Sequence, residues 1–163
     1  MDTNPAAATE AAPPADRVLR CGVIGVGRMG RHHARVYSQG AGTELVGVVD
    51  RDRDRAREIT ESWGGAAMES IDELLAAGVD AVTIATPTIH HRAAAEQLLE
   101  AGVACLVEKP LAPDAAEAAA IAEAAARSGA VLQVGHIVRY DPVMVAIRGI
   151  EDLHPRFIEM VRI

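Results

Sequence analysis

The strongest constraint on the fold of this chain is a glycine motif, Gly25-Val-Gly-Arg-Met-Gly30, which directly follows an apolar run. The pattern predicts a strand, a tight turn and the start of a helix. In that arrangement Gly25 allows the turn, Gly27 lets the backbone approach a pyrophosphate, and Gly30 lets the helix pack closely on the strand. The phosphates would lie at the helix N-terminus, where free N–H groups and the helix dipole favour an anion. The motif indicates a dinucleotide-binding turn, and a glycine-rich turn of an unrelated α/β domain is the alternative.

An acidic residue stands where a dinucleotide fold needs one. Asp50 ends a second strand-like run and lies 20 residues beyond Gly30. A carboxylate at this point binds the adenosine ribose hydroxyls and disfavours the additional phosphate of NADP. The neighbouring Arg51 could instead pair with that phosphate, because a guanidinium matches phosphate geometry. The sequence therefore predicts NAD as the cofactor and leaves NADP possible.

Charge and cysteine content exclude several classes of protein. The 163 residues carry a formal net charge of −7, and no basic stripe is present to bind nucleic acid. Cys21 and Cys105 lie in apolar runs without metal-ligand spacing, so we expect buried, reduced thiols and no metal site. Every apolar segment is interrupted by charge, Gly or Pro, so no membrane span is expected. We therefore expect a soluble, cytoplasmic protein.

Short β-branched runs alternate with longer Ala-rich stretches along the chain, which is typical of a parallel sheet covered by helices on both faces. The fold class predicted is α/β, a doubly wound parallel sheet of the Rossmann type. Strands are predicted at 19–24, 44–49, 81–85, 104–107, 131–134 and 157–163, with a short one at 66–68, and helices at 29–39, 53–62, 71–77, 90–101, 114–128 and 142–147. The glycines that follow four of these helices are predicted to be left-handed: Gly40, Gly78, Gly102 and Gly129.

Three parts of the chain are distinguished by this pattern. Residues 1–17 are rich in Ala and Pro and are expected to form a disordered tail rather than a signal peptide. Residues 18–141 are expected to form the dinucleotide-binding domain, and residues 142–163 a linker helix and the start of a second domain. In an open parallel sheet, ligands bind outside the carboxyl ends of the strands. The segments expected there begin at Gly25, Asp50, Thr86, Glu108 and Gly135.

These segments resemble, in order and spacing, the Gfo/Idh/MocA oxidoreductases. The resemblance rests on the glycine motif with His33, on Asp50, on Ala85-Thr-Pro87 with His91, on Glu108-Lys-Pro110 and on Gly135-His-Ile-Val-Arg-Tyr140. Glu-Lys-Pro after a strand is the most specific of them. The residues around 28–38 and 135–142 are most similar to the subgroup that oxidises UDP-N-acetyl sugars at the 3-position.

The resemblance implies an N-terminal Rossmann domain that binds NAD or NADP and a second α/β domain whose sheet completes the substrate site. We expect residues 157–163 to be only the first strand of that second domain, without the catalytic Asp and His that the family carries there. The expected partners are a sugar or nucleotide-sugar substrate and, through the missing sheet, a second copy or a partner chain. We therefore expect the isolated chain to bind the dinucleotide without turning over substrate. The alternative is a non-catalytic NAD-binding regulatory module or split subunit.

The resemblance also assigns roles to individual residues. It implies that Lys109 is the acid/base, because partial desolvation beside an oxidised nicotinamide favours the neutral amine. Glu108 would orient Lys109 or contact a ribose. The remaining residues expected to contact the cofactor are Gly25, Gly27, Arg28, Met29, Asp50, Arg51, Thr86, Pro87 and His91, and those expected to border the substrate are His136, Arg139 and Tyr140.

Three of these assignments remain open between two interpretations. His33 is interpreted as a packing or capping residue, although it matches a family position. His91 is either a helix cap or a ribose or substrate contact. Arg139 suits a sugar-linked phosphate or carboxylate, and a hinge residue in a salt bridge is the other interpretation.

Overall fold

A computed structural model describes residues 17–150 together with Asp152 and His154. The strands are β1 (Leu19–Ile24), β2 (Thr43–Val49), β3 (Ala66–Met68), β4 (Ala81–Ile84), β5 (Ala104–Val107) and β6 (Leu132–Val134). The α-helices are α1 (Gly30–Gln39), α2 (Arg53–Trp63), α3 (Ile71–Ala76), α4 (His91–Glu100), α5 (Ala115–Ser128) and α6 (Pro142–Arg148), and short 3-10 helices cover Thr88–His90 and Ile137–Tyr140. The predicted elements are found within two residues of their expected bounds, apart from strand 157–163, which lies outside the described residues.

The six strands form one parallel sheet in the order β3-β2-β1-β4-β5-β6. The predicted doubly wound α/β fold is therefore confirmed. Strands β2 and β3 are added on one side of β1, and strands β4, β5 and β6 on the other side. This change in strand order between β1 and β4 opens a crevice at the carboxyl ends of the strands. Residues 1–16 of the predicted tail lie outside the described part, and Arg17 pairs with Asp80 at the start of the sheet.

Two clusters of buried side chains hold the helices against the sheet. The first joins β4 and β5 to Leu74 of α3, Leu98 and Leu99 of α4 and Ile121 of α5. The second joins β1 and β2 to helices α1 and α2. Burial of each of these leucines contributes roughly 1.5–3 kcal/mol. A core almost free of aromatic side chains is thus built from aliphatic residues on both faces of the sheet.

The helix starts differ in how their free N–H groups are satisfied. Asp52, Ser70, Asp114 and Asp141 each cap a helix by accepting a hydrogen bond from a backbone N–H in its first turn. Met29 precedes the first residue of α1, and its side chain makes no such bond. The start of α1, at the glycine motif, is therefore open to an external acceptor.

Three of the four glycines predicted to be left-handed have that conformation, with φ of +74° at Gly78, +79° at Gly102 and +72° at Gly129. The prediction for Gly40 is wrong, because its backbone is extended at φ −71° and ψ 131°. A side chain at Gly40 would overlap the Thr43 hydroxyl. Glycine there allows a close contact rather than a left-handed turn.

Both cysteine side chains are buried and unpaired. Burial, with a smaller contribution from Asp80, raises the pKa of the Cys21 thiol to about 11, and burial raises the pKa of Cys105 to about 12. Both thiols therefore stay protonated and unreactive at neutral pH. Among the described residues, no three His, Cys, Asp or Glu side chains are grouped as metal ligands. No helix in that part of the chain has the length and hydropathy needed to cross a membrane.

Candidate functional site

The candidate site lies where the strands of the sheet end. Ile24 is in register with both Val49 and Ile84, and Val107 is in register with both Ile84 and Val134. These are the last residues of their strands, so the segments that follow them meet at one edge of the sheet. The structure thus brings together the segments beginning at Gly25, Asp50, Ala85, Glu108 and Gly135.

The three glycines of the motif meet different surroundings. Gly25 has φ +82°, and a Cβ there would lie 2.8 Å from the Thr86 nitrogen. At Gly30 a Cβ would overlap the Gly25 carbonyl oxygen. At Gly27 a Cβ would meet no atom of the described residues within 4 Å. Gly25 and Gly30 are thus required by the turn itself, whereas Gly27 faces space that a ligand can fill.

The glycine turn presents backbone donors to that space. Within the part of the chain that the structure describes, the N–H groups of Gly27, Arg28 and Met29 donate to no protein acceptor. These groups stand at the uncapped start of α1. Backbone N–H groups at a helix start bind phosphate well, because the positive end of the helix dipole adds to their hydrogen bonds.

A groove of about 770 Å³ runs from the end of β2 to the segment after β4. Arg51, Thr86 and Pro87 line it, so three of the residues expected to contact the cofactor share one surface. The Thr86 hydroxyl is buried and has no hydrogen-bond partner among the residues that the structure describes. A buried, unpaired hydroxyl costs free energy unless a partner satisfies it. The groove therefore fits a ligand that carries polar groups, as the dinucleotide does.

The side chain of Asp50 lies beneath the glycine turn rather than free in the groove. Its carboxylate accepts hydrogen bonds from the Val26 nitrogen at 2.8 Å and from the Asp52 nitrogen at 2.8 Å, and Arg55 pairs with it. The side chain is 8% exposed. Asp50 thus holds the turn in place, a contribution that the sequence does not predict, and its remaining lone pairs are those that ribose hydroxyls could use.

His91 lies behind the groove wall and not in the groove. Its side chain is 1% exposed. Nε2 is 2.9 Å from the Thr86 carbonyl oxygen, and Nδ1 is 3.2 Å from the carbonyl oxygens of Pro110 and Leu111. This corrects the expectation that His91 lines the cofactor groove. Its ring instead lies between the segment after β4 and the segment after β5, with backbone carbonyl oxygens of both segments within hydrogen-bond distance of its nitrogens.

We expect the substitution His91→Leu to lower the free energy of unfolding by about 2 kcal/mol, since buried carbonyl groups would lose their donor. Urea unfolding followed by circular dichroism measures this. His90→Leu is the matched control, because the neighbouring His90 is exposed and its loss should change stability by less than about 0.5 kcal/mol. Equal stability of the two variants would show that the His91 hydrogen bonds contribute nothing.

Glu108 is buried and paired with a histidine from another element. One carboxylate oxygen lies 3.0 Å from Nε2 of His33 in α1, and the other accepts from the Lys109 backbone nitrogen at 3.2 Å. Gly135 packs against the carboxyl group, and a Cβ there would approach it to 3.3 Å. Glu108 therefore contacts the backbone of Lys109 and the imidazole of His33.

The pairing of His33 with Glu108 goes beyond the packing or capping role that the sequence favours for this histidine. Helical spacing contains the signal that could have found it. Gly30 and Ala34 of α1 are buried and His33 and Tyr37 are half-buried on the same side, whereas His32 is exposed. Positions three and four apart share one helix face, so His33 points toward the sheet.

Lys109 is exposed and is the only lysine in the chain. The other basic side chains are all arginine or histidine. Among the described residues, no acidic side chain pairs with its amine. An amine in this state can gain or lose a proton, whereas a guanidinium stays charged. The chain thus has a single amino side chain, and it stands at the edge where the strands end.

The residues expected to border the substrate lie beyond β6. His136, Arg139 and Tyr140 are exposed, and the Tyr140 hydroxyl accepts a hydrogen bond from Gln133. None of the three lines the groove that contains Thr86. The structure places them on the neighbouring surface, at the end of the same sheet edge.

The family model described as the oxidoreductase family, NAD-binding Rossmann fold, matches residues 19–136. UDP-N-acetylglucosamine 3-dehydrogenase of Acidithiobacillus ferrooxidans is 43% identical over 145 residues, which are 89% of this chain and 45% of that protein. Inositol 2-dehydrogenase 1 of Saccharopolyspora erythraea is 38% identical over 139 residues, which are 82% of this chain and 41% of that protein.

Solved structures match the same region. The structure of the Acidithiobacillus enzyme superposes with a TM-score of 0.76 at 45% identity, over 80% of this chain and 42% of that one. The structure of GenD2 from gentamicin A biosynthesis, in complex with NAD, gives a TM-score of 0.77 at 34% identity, over 84% of this chain and 40% of that one. The chain therefore spans less than half the length of these relatives. It belongs to the Gfo/Idh/MocA oxidoreductases and comprises their NAD-binding Rossmann domain.

Proposed function

We propose that this chain is the dinucleotide-binding part of an NAD-dependent dehydrogenase that oxidises a hydroxyl group of a sugar, nucleotide sugar or polyol. Residues 18–141 are the binding domain in this proposal, and residues 142–163 lead into a second domain. One observation carries it: the open start of α1, the Thr86 hydroxyl, which has no partner in the described part of the chain, and the only lysine meet at the carboxyl edge of the sheet.

The proposed cofactor contacts follow from the surroundings of each residue. The N–H groups of Gly27, Arg28 and Met29 would hold the pyrophosphate, because they have no protein acceptor within the described part of the chain. Gly25 contributes the turn that aims them. Arg51, Thr86 and Pro87 would contact the dinucleotide along the groove that they line. Asp50 would hold the turn through Val26 and offer its remaining lone pairs to the ribose.

We propose that Lys109 takes the proton of the substrate hydroxyl. When bound, the nicotinamide accepts the hydride. Lys109 suits the accompanying proton transfer because its amine is exposed, unpaired among the described residues, and adjacent to the buried Glu108 that contacts its backbone. An arginine could not do this, because it does not deprotonate in proteins. The presence of the one lysine at this position favours an enzyme over a module that only reports NAD.

The proposed substrate class rests on the relatives named above. One is named for UDP-N-acetylglucosamine and another for inositol, and both names describe dehydrogenases. His136, Arg139 and Tyr140 are the residues that would contact such a substrate, since they are exposed beside the Lys109 segment. Arg139 suits a sugar-linked phosphate, because a guanidinium binds phosphate through two parallel hydrogen bonds.

We further propose that the surface after β6 packs against a second domain or a second copy of the chain. This surface carries seven exposed apolar side chains, namely Ile137, Val138, Tyr140, Val143, Val145, Ile147 and Ile150. Apolar side chains grouped in this way commonly mark an interface. Light scattering across a dilution series tests the second copy, and a mass that stays monomeric at every concentration would exclude it.

The proposed cofactor role is tested by calorimetric titration of the chain with NAD. Saturable one-to-one binding is expected, and the heat of NAD binding should disappear when ADP-ribose is present as a competitor. Absence of binding to either NAD or NADP would contradict the proposal. The substrate class is tested separately by NMR. UDP-N-acetylglucosamine or inositol is titrated into the chain in the presence of NAD, and the backbone amide signals of residues 136–140 are expected to shift with the ligand that binds.

We expect Asp50→Ala to weaken NAD binding by about 1–3 kcal/mol and to narrow the preference for NAD over NADP, because a charged acceptor is lost. Titration of the variant with each dinucleotide measures both effects. Asp54→Ala is the matched control, since that carboxylate is 92% exposed and pairs only with Arg57 among the described residues. Equal affinities of the unmodified chain for NAD and NADP would contradict the role of Asp50.

A further inference from the structure

The one lysine and the one buried glutamate of the site are adjacent in sequence but do not pair. Glu108 is 7% exposed and points inward, whereas Lys109 is exposed. Within the described part of the chain, no ion pair joins the Lys109 amine to any carboxylate. Opposite charges on neighbouring residues attract, so something must keep the carboxylate of Glu108 away from the amine.

His33 provides the reason. Its Nε2 lies 3.0 Å from one Glu108 oxygen, and an ionised carboxylate can only accept, so the imidazole donates this hydrogen bond. The other oxygen accepts from the Lys109 backbone N–H at 3.2 Å. Both oxygens therefore have a donor inside the protein. Burial of a carboxylate without a hydrogen-bond donor costs more free energy than an exposed ion pair contributes. The Glu108 carboxylate is therefore expected to stay inside the protein only while His33 donates to it.

The absence of a side chain at Gly135 gives the Glu108 carboxyl group room inside the protein. Gly135 lies against the carboxyl group, and any side chain there would approach the carboxyl atoms to within about 3.3–3.4 Å. His33 reaches Glu108 across 75 residues of sequence because α1 packs against the sheet beside the glycine turn. The helix that begins at the proposed pyrophosphate site therefore also carries the group that holds Glu108.

We infer that His33 is a positioning residue that retains Glu108 inside the protein and so keeps the amine of Lys109 unpaired and available. This inference rests on the proposed role of Lys109 in the dehydrogenase. It assigns His33 no contact with substrate or cofactor. Its effect on Lys109 passes through Glu108, whose carboxylate would otherwise turn outward and pair with the amine.

The availability of the amine can be measured directly, because Lys109 is the only lysine in the chain. The folded protein, without dinucleotide or substrate, is acylated with limiting N-hydroxysuccinimide acetate beside N-acetyl-lysine amide as an internal reference. Mass spectrometry of the peptide that contains Lys109 then gives its relative rate, and repeating the reaction across pH gives the pH profile of that rate.

The expected result is that His33→Leu and His33→Asn slow the acylation of Lys109 about two- to fivefold and move its pH profile to higher pH, as pairing with a carboxylate does. His33→Gln should keep the rate of the unmodified chain, because its amide can still donate to Glu108. His32→Leu is the matched control, since His32 is the exposed neighbour on the same helix, and it should change nothing.

The double variant His33→Leu, Glu108→Gln decides the cause. If Glu108 captures the amine, removing its charge restores the rate and the pH profile of the unmodified chain. If the loss comes from a general disturbance of the fold, the double variant stays as slow as the single one, and the inference is wrong. Unchanged acylation of folded His33→Leu would also overturn it. Failure of the chain to bind NAD would refute the proposed function, and it would leave this measurement intact.

Discussion

A valine at position 27 is expected to weaken NAD binding about 100-fold while the fold survives. A Cβ at Gly27 meets no atom of the described part of the protein within 4 Å, and the φ of Gly27 lies outside the left-handed region, so the free protein has room for the branched side chain. The same side chain would fill the space through which a pyrophosphate reaches the N–H groups at the start of α1. Loss of two charge-assisted hydrogen bonds costs about 3 kcal/mol, which is about 100-fold in affinity.

Gly42→Val is the matched control for Gly27→Val. Gly42 is exposed, has open space at its Cβ as Gly27 does, and lies between α1 and β2, away from the carboxyl edge of the sheet. Calorimetric titration with NAD and circular dichroism of both variants give the answer. Undiminished affinity in a natively folded Gly27→Val protein would mean that the glycine motif serves the turn alone and that the cofactor binds elsewhere.

Alanine at position 30 is expected to have the opposite effect, disturbing the fold itself. Replacing glycine by alanine in a helix ordinarily stabilises it by roughly 0.5–1 kcal/mol. Gly30 begins α1, but a Cβ there would overlap the Gly25 carbonyl oxygen and lie 3.3 Å from a Val23 methyl group. Both neighbours are fixed, one as backbone and one in the core. Overpacking against backbone therefore predicts a loss of about 3 kcal/mol.

Urea unfolding of Gly30→Ala measures the change in the free energy of unfolding. The sign of this change is informative, because helix propensity alone predicts stabilisation and overpacking predicts destabilisation. Arg35→Ala on the exposed side of α1 is the control, and a change within about 0.5 kcal/mol is expected there. A Gly30→Ala protein as stable as the control would show that α1 can move away from β1. The close contact between the helix and the glycine turn would then not be needed for the fold.

The order of the elements and the edge at which the site forms are determined by the sequence alone. Strands and helices can be predicted from the alternating β-branched and Ala-rich runs, because the spacing of apolar residues that distinguishes a strand from a helix is visible within a short stretch of sequence. A parallel sheet then requires the segments after the strands to share one edge. For this reason the sequence pattern suffices to predict that the glycine turn, Thr86, Glu108 and Gly135 lie together, as the register of the strands confirms.

The directions of individual side chains are decided only by the tertiary structure. His91, which the sequence predicts in the groove, lies behind its wall, and Asp50 holds Val26 beneath the turn. The pairing of His33 with Glu108 joins residues 75 positions apart. Such contacts depend on the rotation of each helix and the height at which it packs on the sheet. The rotation and the height of each helix are set by the packing of all the side chains in the two buried clusters. These side chains come from distant parts of the chain, so no local stretch of sequence determines the packing.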